Sequence, residues 1–306
     1  NIDISERKFV AKLLNLSETD IPHLRIKKCR VNTNSNGELV GNCPKVPSDP
    51  EARVGYHVDN KNPSKKEQIF GYLHQKTTST DNDLGLELPI GNSTYPANTD
   101  EGNKYFDHRS KLAIPFVTGQ INILDAAYDQ TAIYQGIRQD NAIPVIAYNV
   151  RRENLSEEAV RKRGYDENGV PYAPCGRLCK SNGYDYKSES RQYVCGRVCP
   201  SEEQDQCSHG YKSTGYNHRM SSKQYPRLTG PVQRGTKKWK GYYTKRSASE
   251  RINSYDQEVI EVGCKPKLRG LKAFKFSGSI RTLAQLLRKS LIFVLNVTFT
   301  LGGLFS

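Results

Sequence analysis

Two acidic side chains, far apart in the chain, stand in settings from which chemistry could be built. Asp125 closes the short apolar run Ile121-Asn-Ile-Leu. Glu250 is the first acid after Asp205, and the stretch between them carries Lys212, Arg219, Lys223, Arg227, Arg234, Lys237, Lys238, Lys240, Lys245 and Arg246. A carboxylate set into such a cationic field suits a site that holds a polyanion and a hard divalent cation together. The plainer readings are a solvated helix with a salt-bridging glutamate at Glu250 and a helix N-cap at Asp125. A third group of reactive side chains is a run of cysteines. Cys175-x3-Cys179 is followed by Cys195-x3-Cys199 and then Cys207, with His209 close behind. Two cysteine knuckles fit a four-ligand structural zinc site, which leaves no open position for catalysis. Free thiols in a tyrosine-rich insertion are the alternative.

The elements that would position these groups can be read from periodicity. At 100° per residue, Arg246, Glu250, Asn253 and Gln257 share one polar face of a helix starting near Tyr242. Ala248, Ile252, Tyr255 and Val259 fall on the opposite, apolar face. Ile121–Leu124 predicts a buried strand, Asp129–Asp140 a helix, and Ile143–Tyr148 a second strand. Strand, helix and strand within about thirty residues predict a parallel βαβ unit. Asp125 then lies at the carboxyl end of a parallel strand, the edge where ligands and catalysis collect in open α/β sheets. Upstream, two β-prone runs between Phe70 and Asn98 flank a turn containing Asp81, Asn82, Asp83 and Gly85, which predicts a hairpin. Ser5 to Leu16 has helical spacing, Asn32 to Arg53 reads as loop, and Asn98 to Lys111 reads as a polar connector.

Composition bounds the partner. The chain has 306 residues, with 46 Lys and Arg against 32 Asp and Glu, a formal net charge of +14. Such a balance favours nucleic acid first and an anionic membrane second. Within the basic stretch, Trp239, Tyr242 and Tyr243 interleave with Arg234, Lys237, Lys238 and Lys240, cations for phosphates and rings for unpaired bases. A flexible solvated loop is the competing reading. The chain begins at Asn1 rather than Met, so a preceding segment is expected, and Asn1 to Val10 has no apolar run of a secretory signal. Leu291 to Phe305 is interrupted by Asn296, Thr298, Thr300 and two glycines, so it reads as a core-packing element rather than a membrane span. With no signal peptide, metal is favoured over disulfides for the eight cysteines.

Together these residues resemble the insertion-sequence transposases of bacteria and archaea, the class built on two aspartates and a glutamate. Asp49-Pro-Glu-Ala-Arg53 is similar to the family's D-P-D-A-R segment, and Tyr95-Pro-Ala-Asn98 to its T-P-A-N. ILDAAYD is similar to A-D-x-G-Y-D, and Tyr243-x2-Arg246-x3-Glu250 matches the Y-(2)-R-(3)-E signature. The resemblance implies an α/β fold: an RNase H-like mixed sheet with flanking helices and a cysteine-rich, zinc-ribbon-like insertion. It implies an N-terminal region over 1–48, a catalytic domain over 49–152 and 242–306, and an insertion over 153–241.

What the resemblance implies for function is Mg²⁺-dependent cleavage and strand transfer on DNA, with Asp125 and Glu250 as ligands of a two-metal site. Tyr243 and Arg246 would contact DNA beside Lys237, Lys238, Trp239, Lys240 and Arg234. Structural Zn²⁺ would be held by Cys175, Cys179, Cys195, Cys199 and Cys207. The partners would be transposon ends and target, engaged by a homodimer on paired ends in a prokaryotic cytoplasm, at the nucleoid, with no membrane. Gln257 stands where the family has a lysine, and neither Asp3 nor Asp20 supplies the first aspartate. Two alternatives follow: a catalytically inactive, zinc-containing DNA-binding remnant, or a related RNase H-like nuclease.

Overall fold

The computed structural model describes residues 32–33, 39–40, 49, 51–59, 62–81, 83–112, 114, 117–150, 156–196, 215–260 and 268–302. In chain order the strands are β1 (Asn32–Thr33), β2 (Leu39–Val40), β3 (Arg53–Asp59), β4 (Asn62–Asp81), β5 (Leu86–Pro96), β6 (Ile121–Leu124), β7 (Ile143–Ile146), β8 (Lys180–Asp185), β9 (Ser190–Val194) and β10 (Asn217–Ser221). The helices are α1 (Tyr105–Ser110), α2 (Thr131–Gln139), α3 (Glu157–Arg163), α4 (Lys237–Tyr243), α5 (Ser247–Tyr255) and α6 (Leu271–Gly302). The protein is a mixed α/β chain that folds as two compact units, 1–99 with 252–306, and 100–251. This division cuts elsewhere than the sequence reading expects: the βαβ unit and the cysteine-rich segment share one unit. Among the described residues no helix is long and apolar enough to cross a membrane. The helix expected over 5–16 lies outside the described residues.

In the first unit, β3, β4 and β5 form an antiparallel sheet in that order. The predicted hairpin is present and longer than expected. Its turn is fixed by Asp81, whose Oδ1 accepts from the amides of Asp83 (3.0 Å) and Leu84 (3.1 Å), the side chain mimicking a backbone turn. Gly85 follows at φ +61°, a left-handed position that glycine occupies without strain. Helix α6 lies on β5 and β4. Phe274 packs on Tyr72 with ring centroids 4.4 Å apart, and Gly278 approaches Asn92 so closely that a Cβ would collide. Asp49, the head of the D-P-E-A-R segment, is buried and fully engaged. It accepts from the Tyr72 hydroxyl (2.8 Å) and from the amides of Glu51, Ala52 and Gly270. The C-terminal stretch departs from expectation: Leu291, Val294 and Leu295 sit exposed on a continuing helix rather than in a core.

In the second unit, β6 and β7 pair in parallel, Ile121 opposite Ile143 and Leu124 opposite Ile146, with α2 as the crossover. The predicted βαβ unit is therefore present. Ile133, Tyr134 and Ile137 of α2 meet Ala142, Ile146, Tyr105 and Tyr128 in one core. The expected connector over 98–111 instead holds a 3₁₀ turn (Gly102–Lys104) and α1, with Tyr105 and His108 buried. Helix α1 is too short for its periodicity to stand out from a polar text, and two aromatic anchors suffice to dock it. Strands β8, β9 and β10 form an antiparallel sheet, β9 central, over a second core of Ala173, Cys179, Tyr193, Cys195 and Met220. Among the described residues the sheets stay separate, and no single mixed sheet joins β6 and β7 to the hairpin.

His74 on β4 gives the first unit a titration signature. Its Nδ1 lies 2.9 Å from the Thr94 hydroxyl, and Arg281 approaches its Nε2 at 3.2 Å. Arginine can only donate, so the ring is neutral with its proton on Nδ1. Burial, then Arg281 and Lys76, push its pKa down to about 4. The folded value lies below the unfolded one, so the unfolded chain takes up the proton first as pH falls from 6.5 towards 4. Stability is then lost across that window, by roughly 2–3 kcal/mol for this ring. Urea midpoints at pH 7 and pH 4.5 check it: His74→Gln should lose less stability on acidification than the native chain, and an equal loss would refute the assignment.

Candidate functional site

The site grows from the carboxyl end of β6. Asp125 follows the strand and caps the 3₁₀ turn Ala126–Tyr128, its Oδ1 accepting from the Ala127 amide at 2.9 Å. Both readings of Asp125 thus hold at once: a strand-end carboxylate and a local cap. Four residues on, Asp129 has a different part. It is wholly buried and accepts from the Tyr134 hydroxyl (3.1 Å), the Asn149 amide (2.9 Å), and Arg227 through Nε (3.2 Å) and Nη2 (2.6 Å). A buried carboxylate survives only when so satisfied.

That contact brings the basic stretch to the βαβ unit. Arg138 of α2 donates to the carbonyls of Ser222 (2.9 Å), Pro226 (2.9 Å) and Thr229 (2.7 Å). Arg191 of β9 donates to Gly230 and Pro231. Arg227 and Arg234 both stack over Tyr148, at 5.4 and 4.7 Å. Arg234 also donates to the Tyr134 hydroxyl, the Arg227 carbonyl and the Glu167 carbonyl. Arg234 is therefore engaged inside the protein, which corrects its assignment to a DNA surface. Its sequence setting is no different from that of the neighbouring lysines; only the fold separates them.

The fastened segment delivers α4. Thr236 caps it, its hydroxyl accepting from the Trp239 amide at 3.2 Å. Helix α4 packs on β6 and β7, and the 3₁₀ turn Thr244–Arg246 packs on β6. Trp239 and Tyr243, one helical turn apart, stack at 4.7 Å and 11°. Lys237, Lys238 and Lys240 are exposed around them, and none has an ion-pair partner among the described residues. Arg246 lies over the Tyr243 ring at 5.9 Å and pairs with Glu250, the i,i+4 contact expected from the polar face. Ala248 and Ile252 are buried as expected, but Val259 is exposed on the π-helical turn Asp256–Ile260.

Asp125 and Glu250 are both within electrostatic reach of Tyr243. Burial pushes the Tyr243 hydroxyl's pKa up; Arg246 opposes it, and the carboxylates of Asp125 and Glu250 both add to it. A further acid, missed in the sequence, stands beside Asp125. Burial and then Asp125 push the Glu101 carboxyl up, against a hydrogen bond from the Tyr128 hydroxyl (3.2 Å). The pair Asp100-Glu101 comes one residue after the Tyr95-Pro-Ala-Asn segment, and that placement was its only sequence signal.

The donor chemistry fits a hard divalent cation in kind, since such ions take carboxylate oxygens and Mg²⁺ is commonly held by one or two carboxylates plus substrate phosphates. Among the described residues no three His, Cys, Asp or Glu side chains gather into a metal set of their own. The described cysteines have other surroundings. Cys175 is exposed, while Cys179 and Cys195 are free thiols buried in an apolar cluster. Cys195 Sγ accepts from the Tyr216 amide at 3.1 Å. Burial, then Cys195 and Cys175, push the Cys179 thiol up to about 11, a neutral thiol acting as a small apolar side chain. Cys199, Cys207 and His209 lie outside the described residues. Compared with protein-family models, curated proteins and solved structures, the chain matches none.

The two aspartates of ILDAAYD should separate in stability measurements. Asp129→Ala leaves Arg227 without its carboxylate partner and should cost roughly 3–5 kcal/mol. Asp125→Asn keeps the cap and should cost less than about 1 kcal/mol. Thermal or urea melts of both variants decide; a severe loss for Asp125→Asn would make it a structural acid only.

Proposed function

We propose that this protein is a DNA transposase acting by metal-dependent phosphoryl transfer at insertion-sequence ends, with β6, α2 and β7 forming part of an RNase H-like core. The observation that carries the reading is that Asp125, at the carboxyl end of β6, and the Tyr243–Glu250 segment, whose 3₁₀ turn packs on β6, come from distant parts of the chain to one strand beside an aromatic pair ringed by exposed lysines. The same three residues, Tyr243, Arg246 and Glu250, carry the signature by which the sequence resembles that family.

In this reading Lys237, Lys238 and Lys240 contact DNA phosphates without regard to sequence. Trp239 and Tyr243 offer a stacking surface for an unpaired base near the cut. Arg246, already over Tyr243, turns from Glu250 to a phosphate oxygen and leaves that carboxylate to a cation. Asp125 and Glu250 would be the carboxylates that hold a divalent cation, Asp125 through the oxygen other than Oδ1, which accepts from the Ala127 amide. Bound divalent ions supply the lowered pKa of the attacking hydroxyl and the stabilised leaving oxygen. The protein's own share is positioning and charge, which phosphoryl transfer chiefly needs.

A second reading is a DNA-binding remnant without catalysis. It is favoured by the Arg246–Glu250 pair, which occupies one of the two carboxylates, and by the absence of a three-ligand metal set among the described residues. A related RNase H-like nuclease without strand transfer shares every residue of the first reading. A structural Zn²⁺ on Cys175, Cys179, Cys195 and a ligand outside the described residues would stabilise the insertion under any of these.

Nicking and strand transfer of DNA carrying the flanking terminal repeats separate the three. Asp125→Ala and Glu250→Ala should each abolish Mg²⁺-dependent cleavage while leaving end-binding within a few-fold, and full cleavage by either removes the assignment. Replacing Lys237, Lys238 and Lys240 together by Ala should weaken binding to all DNA sequences alike. It should also flatten the log K against log salt slope by roughly 0.9 per lysine. Arg234→Ala should instead lower stability.

A further inference from the structure

Helix α6 is built inside out. The face turned to β4 and β5 holds Phe274 against Tyr72, Gly278 against Asn92, Arg281 at His74, and Lys289 at Glu87. Buried Gln285 lies along the same face and donates to the Ile252 carbonyl and to Asp256. The opposite face carries Phe276, Ile280, Leu283, Leu287, Leu291 and Val294, each between 49% and 69% exposed. Their spacing of 4, 3, 4, 4 and 3 averages the 3.6 of a straight helix, so they form one continuous stripe. By ordinary side-chain areas the stripe presents on the order of 600 Å², at or above the largest apolar patch of a typical monomer. Leu295, exposed along one edge of it, brings the surface nearer the roughly 800 Å² per partner of a standard stable interface.

We propose that this stripe is the contact face for the α6 helix of a second copy of the chain, the two helices running antiparallel about a twofold axis. The pattern is self-complementary when reversed. A twofold between Leu283 and Leu287 sets Leu283 opposite Leu287, Ile280 opposite Leu291 and Phe276 opposite Val294, as an isologous contact requires. Charge selects the same direction. From Leu271 to Gly302 the helix has no acidic residue, and Lys272 and Lys275 occupy its first turns. A parallel pair would set these lysines against each other. The antiparallel pair sets them towards the partner's C-terminal end, where the helix dipole is negative. Arg281, Arg288 and Lys289 do not interfere, since they engage His74, the Tyr255 ring and Glu87 of their own unit. The paired face draws on this helix alone and on no residue of the candidate site. A dimer that does not cut DNA, or a monomer that does, would tell its failure apart from that of the transposase reading.

Sedimentation velocity of the full chain through the micromolar range tests it. The native chain should sediment as a concentration-dependent dimer, and Leu283→Glu with Leu287→Glu as a monomer with unchanged circular dichroism and unfolding midpoint. The milder Leu287→Ala should raise the dissociation constant about tenfold or more, which keeps the test valid if the double variant misfolds. A native chain that stays monomeric overturns the proposal, as does a double variant that stays dimeric. A double variant that loses its unfolding midpoint while the native chain is monomeric would show the stripe covered by the chain's own residues. Native protein floating with phosphatidylserine–phosphatidylcholine vesicles, and the double variant not, would make the occupant a lipid surface.

Discussion

The second unit depends on how the buried carboxylate of Asp129 is satisfied. An ionised carboxylate removed from water costs several kcal/mol unless hydrogen bonds and an opposite charge replace its hydration. Here the replacement comes from three places: Tyr134 on the crossover helix, the Asn149 amide after β7, and Arg227 from far along the chain. Satisfying one buried acid therefore joins the βαβ unit to the basic stretch. Arg138 and Arg191 add a rim of bonds to carbonyls between Ser222 and Pro231. A segment rich in Ser, Gly and Pro, which alone would pay heavily in entropy to hold one path, then leads to Thr236 and the start of α4 in a fixed place.

From that anchorage the candidate site follows. Helix α4 begins where the fastened segment ends, packs on the parallel strands, and brings Tyr243 to the strand that Asp125 closes. The carboxylates need not be neighbours in sequence: Asp125 closes β6, and Glu250 follows directly on the 3₁₀ turn Thr244–Arg246 that packs on β6. The aromatic pair Trp239–Tyr243 lies one turn apart on one helix face, so its stacking is a local consequence of helical spacing and needs no tertiary support. The lysines between and beside those rings point to solvent for the same reason.

Much of this could be read before the fold was seen, and what could not has a physical cause. Ile121-Asn-Ile-Leu-Asp and Ile143-Pro-Val-Ile were readable as parallel strands because buried strands are short apolar runs with a helix-length gap. The Asp81 to Gly85 turn was readable because its side chains dictate local backbone geometry. The Arg246–Glu250 pair and the buried Ala248 and Ile252 follow from the 3.6 period. Helix α1 was not readable, because six residues give too few repeats of any period. The cysteine knuckles suggested a metal from spacing alone, whereas spacing does not reveal that Cys179 and Cys195 face Tyr193 and Met220 across an apolar core. Glu101 was missed because its importance comes from burial beside Asp125, a through-space fact.

The basic stretch shows most clearly why charge counting and function part company. Its arginines and lysines look alike as formal charges, yet burial sorts them. Arg227 and Arg234 are planar donors tied to Asp129, to carbonyls and to the Tyr148 face; withdrawing either would strand buried acceptors, at a cost a phosphate contact could not offset. Arg246 is different. Its partner Glu250 has a side chain 58% exposed, and an exposed ion pair of this kind contributes at most about 1 kcal/mol. Exchanging that partner for another anion is therefore cheap, which sets Arg246 apart from Arg227 and Arg234. Among the described residues of the stretch, Lys237, Lys238 and Lys240 stand exposed and Arg246 holds only an exposed pair, all four on the two short helical segments about Tyr243.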